Sequence, residues 1–159
     1  MISCAPLLAI LLAAAPLATS GTPLPGFADV AMPVAVSFVV TDVSLDASGS
    51  PATSVAFSNA LILLGQSVRI SVRADSVGFT PPSGNSIPAA NVAWTTSNAQ
   101  GGVGSNNVLS SSTYRQVFQG AVNGTSGSVD LSWTVTAPGA AIRAGAHSLV
   151  LRWKVESVP

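Results

Sequence analysis

Ser128-Val-Asp-Leu-Ser-Trp-Thr-Val-Thr-Ala137 and Gly145-Ala-His-Ser-Leu-Val-Leu-Arg-Trp-Lys-Val-Glu156 decide the fold class. In the first, Val129, Leu131, Trp133 and Val135 alternate with Asp130, Ser132, Thr134 and Thr136. In the second, Leu149, Leu151, Trp153 and Val155 alternate with Val150, Arg152, Lys154 and Glu156. Residues two apart in a strand share a face, so each segment has one apolar and one mostly polar side. The connection Pro138-Gly-Ala-Ala-Ile-Arg-Ala-Gly145 is short and rich in turn formers, which predicts antiparallel pairing of the two strands. Trp133 and Trp153 are expected to enter one shared core.

The same alternation recurs upstream. Val68, Ile70, Val72 and Ala74 face one way and Arg69, Ser71, Arg73 and Asp75 the other. Val34, Val36, Phe38 and Val40 oppose Ala35, Ser37, Val39 and Thr41, a strand apolar on nearly both sides and therefore central in a sheet or covered. Thr53 to Ser58 places Val55 and Phe57 inward, and Asn91 to Asn98 places Val92, Trp94 and Thr96 on one side. Val108 to Ser111 and Thr113 to Gln119 complete the set, with Tyr114, Gln116 and Phe118 on one face and Arg115 and Val117 on the other. Asn59 to Leu64 is apolar without a decisive period.

Turn-rich stretches separate these segments: Asp42 to Pro51, the long Phe79 to Ala90 with Pro81-Pro82, and Gln100 to Asn107, read as a hairpin tip. Short strands, frequent turns and no sustained helical period predict an all-β chain, an antiparallel β-sandwich of immunoglobulin-like or jelly-roll-like kind. A length of 159 residues suits one domain.

Residues 1–20 read as a secretory signal peptide: an apolar run from Leu7 to Leu17, preceded by Pro6 and broken at Pro16, then small residues to Ser20, after which cleavage is expected. Residues 21–32 are expected as an extended leader and residues 33–159 as the sandwich. The run is short for a bilayer span, and no apolar tail or basic cluster closes the chain, so a secreted or cell-surface protein is expected. Cys4, the single cysteine, falls inside the signal, which leaves the mature chain without thiol chemistry.

Charged residues make up 8% of the chain, six basic against six acidic. Such a balance offers nucleic acid no field to follow. Gly101, Gly102 and Gly104 lack the following Lys and the helix of a phosphate loop. His147 is the only histidine and lies in a core-facing row, with no nucleophile-elbow serine to serve. Zinc would need more imidazole or thiolate than the chain owns, and Asp42 and Asp46 read as turn formers before calcium ligands. The six acids Asp29, Asp42, Asp46, Asp75, Asp130 and Glu156 show no arrangement of a glycosidase pair. No catalytic, cofactor or metal residue is therefore assigned, and no enzyme is expected. Arg69 and Arg73 read as a solvated face or partners of Asp75, Asn123-Gly-Thr125 as a turn, and Phe79 and Tyr114 as the aromatics available to a ligand.

Ala144-Gly-Ala-His-Ser-Leu-Val-Leu-Arg-Trp-Lys-Val155 resembles the C-terminal signature of bacterial WxL-type surface domains and, more loosely, the last strand of fimbrial or spore-coat-like β-sandwich subunits. Gly145 matches the glycine opening that strand, His147 a position often held by Tyr, and Trp153-Lys-Val155 the Trp-x-aliphatic motif. Trp133-Thr-Val135 repeats the motif one strand earlier. The resemblance covers about a dozen residues and implies a surface protein with a structural, adhesion or assembly role. The expected partners are further copies or another surface protein, joined by strand addition through Val34 to Val40. A carbohydrate or cell-wall binding module is the alternative.

Overall fold

A computed structural model describes residues 8–14, by their backbone, and 27–159. Cys4, the expected cleavage point after Ser20 and the first part of the leader lie outside the described residues. The strands are β1 (Leu8–Ala14), β2 (Asp29–Ala31), β3 (Ala35–Val40), β4 (Ala47–Ser50), β5 (Thr53–Ser58), β6 (Ser67–Ala74), β7 (Val92–Gln100), β8 (Gly102–Gly104), β9 (Asn107–Val108), β10 (Arg115–Gly120), β11 (Gly127–Val135) and β12 (Ala146–Val158). One 3-10 turn, Ala89–Asn91, precedes β7.

The expected all-β sandwich is what forms. The larger sheet runs β4-β3-β1-β12-β6-β10-β8, and the smaller has β11 at its centre, with β7 on one edge and β5 and β4 sharing the other. β2 extends the smaller sheet beyond β5, and β9 beyond β7. β4 belongs to both sheets: Ser48 and Ala47 pair with Thr134 and Val135, while Ser50 and Gly49 pair with Ser37 and Phe38. Part of the expected Asp42 to Pro51 link is thus a strand that turns the corner of the sandwich. All pairings are antiparallel except that of β1 with β12.

The faces follow the alternation. Val129, Leu131, Trp133 and Val135 of β11 are buried, as are Leu149, Leu151 and Trp153 of β12, in one core. Trp94 and Trp133 are direct cross-strand partners with ring centroids 5.6 Å apart, tilted by 50°. Their indoles are satisfied at the core margin: Trp94 Nε1 donates to the Ser105 carbonyl and Trp133 Nε1 to Thr53 Oγ1, both at 2.8 Å. Such pairing contributes about 0.5–1.5 kcal/mol beyond the area buried.

The neighbours do not all follow. β11 and β12 do not pair; they lie in opposite sheets. The connection between them is tied across the end of the sandwich, where Thr136 N–H donates to the Asn91 carbonyl, Ala137 N–H to Asp46 Oδ1 and Gly139 N–H to the Val43 carbonyl. These bonds carry the chain from one sheet to the other. The glycine stretch is likewise a crossing and not a hairpin tip. After Gly101, β8 joins β10 of the larger sheet while β7 stays in the smaller one. A Cβ at Gly104 would lie 2.6 Å from Thr96 Oγ1 and 2.9 Å from Val129 Cγ2, so the crossing needs glycine where the layers close together.

In β10 the expected opposition of Val117 and Phe118 fails because a bulge between Gln116 and Phe118 turns both side chains inward. Val34 lies ahead of β3 and is exposed, whereas Val36, Phe38 and Val40 are buried. β3 is an internal strand, held by β4 on one edge and β1 on the other. Asn59 to Leu64 is neither helix nor strand. Asp29–Ala31, in the stretch expected as leader, pairs with β5.

Candidate functional site

The residues with chemistry to offer gather on the outer face of the larger sheet. β6 and β12 pair so that Arg73 faces Arg152, Ser71 faces Lys154 and Arg69 faces Glu156. Four of the six basic residues of the chain thus stand on adjacent strands. Like charges directly opposed across a ladder repel, and each has a counterpart. Arg152 forms a two-pronged ion pair with Asp75, the second prong running from Nη2 to Oδ2 at 3.1 Å. Arg73 Nη1 donates to the Ser111 carbonyl at 2.9 Å, and its guanidinium lies 5.3 Å from the centre of the Tyr114 ring. Lys154 Nζ is 2.6 Å from Glu156 Oε2 and 6.0 Å from the same ring, and Arg69 is 3.9 Å from Glu156. Asp75 therefore pairs with Arg152 on the neighbouring strand and not with the arginines of its own. Four cations face two carboxylates, which leaves the patch positive around a single exposed tyrosine.

The hydrogen bond from Arg152 holds the Asp75 carboxyl below its usual value and raises the Arg152 guanidinium. The Ser44 hydroxyl and then its amide do the same for Asp42. Asp42 caps its own turn, whereas Asp46 accepts from the distant Ala137 N–H and ties down the connection before β12, and among the described residues no group of three or more His, Cys, Asp or Glu could hold a metal ion.

His147 is fully buried. Its Nε2 lies 3.0 Å from the Arg143 carbonyl and donates to it, and among the described residues its buried Nδ1 has no hydrogen-bond partner. The ring packs and tethers the start of β12. Phe79, expected as a ligand-facing aromatic, is core: its N–H donates to the Ile87 carbonyl and its own carbonyl accepts from Ser86 Oγ, folding the proline-rich loop inward. Tyr114 is the aromatic that stays accessible, 37% exposed. Asn123-Gly-Thr125 is the expected turn, with Asn123 at positive φ and its Oδ1 accepting from Gly65 N–H at 2.7 Å. A shallow groove of about 240 Å³ runs along β2 and β5; Asp29, its one titratable lining residue, accepts a hydrogen bond from Asn59.

No family model matches the chain, and no curated protein matches it.

Because the Asp75 carboxyl is held below 3.8, its contribution to stability is complete above that value and is lost as pH falls through the lowered folded value. Urea midpoints measured from about pH 5 to pH 2 should therefore fall less steeply for Asp75→Asn than for the parent chain. Parallel curves would show that the Arg152 pair adds nothing.

Proposed function

We propose that the chain is an exported, non-enzymatic β-sandwich of bacterial type with a structural, adhesion or assembly role at the cell surface. The observation that carries this reading is the loop after β5, where Leu61, Leu63 and Leu64 are 79%, 72% and 93% exposed. The loop is anchored by its backbone, Ala60 N–H to the Thr125 carbonyl and Leu61 N–H to the Phe27 carbonyl, so these side chains are held outward. Fixed apolar side chains in water favour contact with another molecule. The buried tether made by His147 and the pairing of Asp75 and Glu156 with cations support a role for these groups in holding the fold.

Sedimentation of the purified protein over a range of concentrations should show self-association, weakened roughly tenfold or more by Leu61→Ser/Leu63→Ser/Leu64→Ser, since each buried methylene is worth about 0.8 kcal/mol. A parent chain that stays monomeric at every concentration would contradict the assembly reading.

Tyr114 favours the second reading, a cell-wall or carbohydrate binding module. An accessible ring beside Arg73 and Lys154 offers a stacking surface with cations at its rim. Retention on insoluble anionic wall polysaccharide, lost in Tyr114→Ala and reduced by salt, is the expected outcome; equal retention of both proteins would exclude this face.

A further inference from the structure

One end of the sandwich carries no charge at its tip. The loop between β5 and β6 turns Ile62 toward the core, where it is partly buried, and holds Leu61, Leu63 and Leu64 outward. The turn between β10 and β11 is joined to this loop by three bonds: Ala60 N–H to the Thr125 carbonyl, Gly65 N–H to Asn123 Oδ1, and Asn123 N–H to the Gln66 carbonyl. That turn adds Val122, 60% exposed. Four aliphatic side chains thus stand on one bonded tip, and residues 59–68 and 119–128 contain no charged side chain. The acid at its base, Asp29, accepts from the Asn59 amide. Cations begin one step behind. Arg69 stands three residues on from Gln66, roughly 10 Å in an extended chain, on the outer face of the larger sheet opposite Glu156. Glu156 is held by Lys154 at 2.6 Å and lies 3.9 Å from Arg69, whose buried Nε has no partner among the described residues. The cation next behind the apolar tip is therefore only loosely paired.

We infer that this end docks on an anionic lipid membrane surface, with the leucines and Val122 at the acyl boundary and Arg69 at the level of the phosphates. The inference rests on the reading that the leucine loop contacts another molecule, and it names that partner. Depth, charge and shape each favour lipid. An apolar element lying in a bilayer surface enters about 5–10 Å. That depth takes in the leucines and brings the row of Arg69 to the headgroups, where a cation gains from anionic lipid. An uncharged tip enters the apolar boundary without stripping water from an ion. With Leu64 93% exposed the tip projects, so two copies meeting tip to tip cover far less than the roughly 800 Å² per partner of a stable protein interface. A fluid surface needs no matching concavity. The self-association expected above is then the weaker of the two contacts.

The test is co-sedimentation of the purified full-length chain with two kinds of vesicle, phosphatidylcholine alone and an equal mixture of phosphatidylcholine and phosphatidylglycerol. The parent should bind the mixed vesicles more tightly than the neutral ones. Leu61→Ser/Leu63→Ser/Leu64→Ser should bind the mixed vesicles at least about tenfold more weakly than the parent, and Arg69→Gln severalfold more weakly, with no change on phosphatidylcholine. Both variants should keep the parent tryptophan spectrum, because none of these side chains belongs to the core. Three results would overturn the inference: no vesicle binding by the parent, equal binding by the parent and the triple-serine variant, or equal binding of the parent to the two kinds of vesicle. Sedimentation without lipid separates this from the assembly reading. A chain that stays monomeric yet binds vesicles through its leucines upholds the lipid contact and removes self-association. Self-association that the serine variant loses, with no vesicle binding by the parent, removes the lipid contact and leaves the assembly reading standing.

Discussion

An internal strand of a sheet has two rows of backbone donors and acceptors, and both must be met. Each such group left unpaired away from water costs about 1–3 kcal/mol, so a sheet is only as closed as its least satisfied strand. In this sandwich the larger sheet meets that condition at its middle through β1. Among the described residues β3 and β12 reach each other only through it, with registered pairs on both of its edges. The order of the larger sheet, and the placing of His147 opposite Ile10, follow from these pairs.

The smaller sheet does not share this dependence. β11 is flanked along its length by β7 on one side and by β5 and β4 on the other, and its Trp133 meets Trp94 across the ladder. Phe57 and Phe118, 6.1 Å apart, pack the two sheets against each other. The outer face of the larger sheet is held differently, by ion pairs laid across β6 and β12. Exposed pairs of this kind are weak; the one with Asp75 offsets the charge of Arg152 where it stands opposite Arg73. The smaller sheet is thus held by continuous pairing around β11, and the larger one by the bridge that β1 makes between β3 and β12.

What the sequence made legible was burial by face. The alternation in β6, β11 and β12 reports which side chains turn inward, and Val68, Ile70, Val72, Trp133, Leu149 and Trp153 all do. Alternation carries no statement about neighbours, so the same residues that located β11 and β12 could not place them in opposite sheets. A bulge leaves no trace in a period of two, which is why Val117 and Phe118 both turn inward unannounced. Phe79 sits in a loop by composition, and only the bonds to Ile87 and Ser86 show that the loop folds over the core. Leu8 to Ala14 is the sharpest case. An apolar run without alternation is what an export signal needs and also what a strand buried on both faces needs, so composition alone gives one segment two readings. The charged face is half legible: Arg69 and Arg73 read as an outer row, while their partners, Glu156 of β12 for Arg69 and the Ser111 carbonyl and Tyr114 ring for Arg73, come from elsewhere in the chain.

The central place of β1 is tested most directly by amide hydrogen exchange on the full-length protein. Backbone amides of Leu8 to Ala14 should exchange as slowly as those of Ala35 to Val40 and Ala146 to Leu151, and far more slowly than in the isolated peptide. Fast exchange across Leu8 to Ala14, with β6, β7 and β11 fully protected, would show that the larger sheet closes without them and would contradict the account.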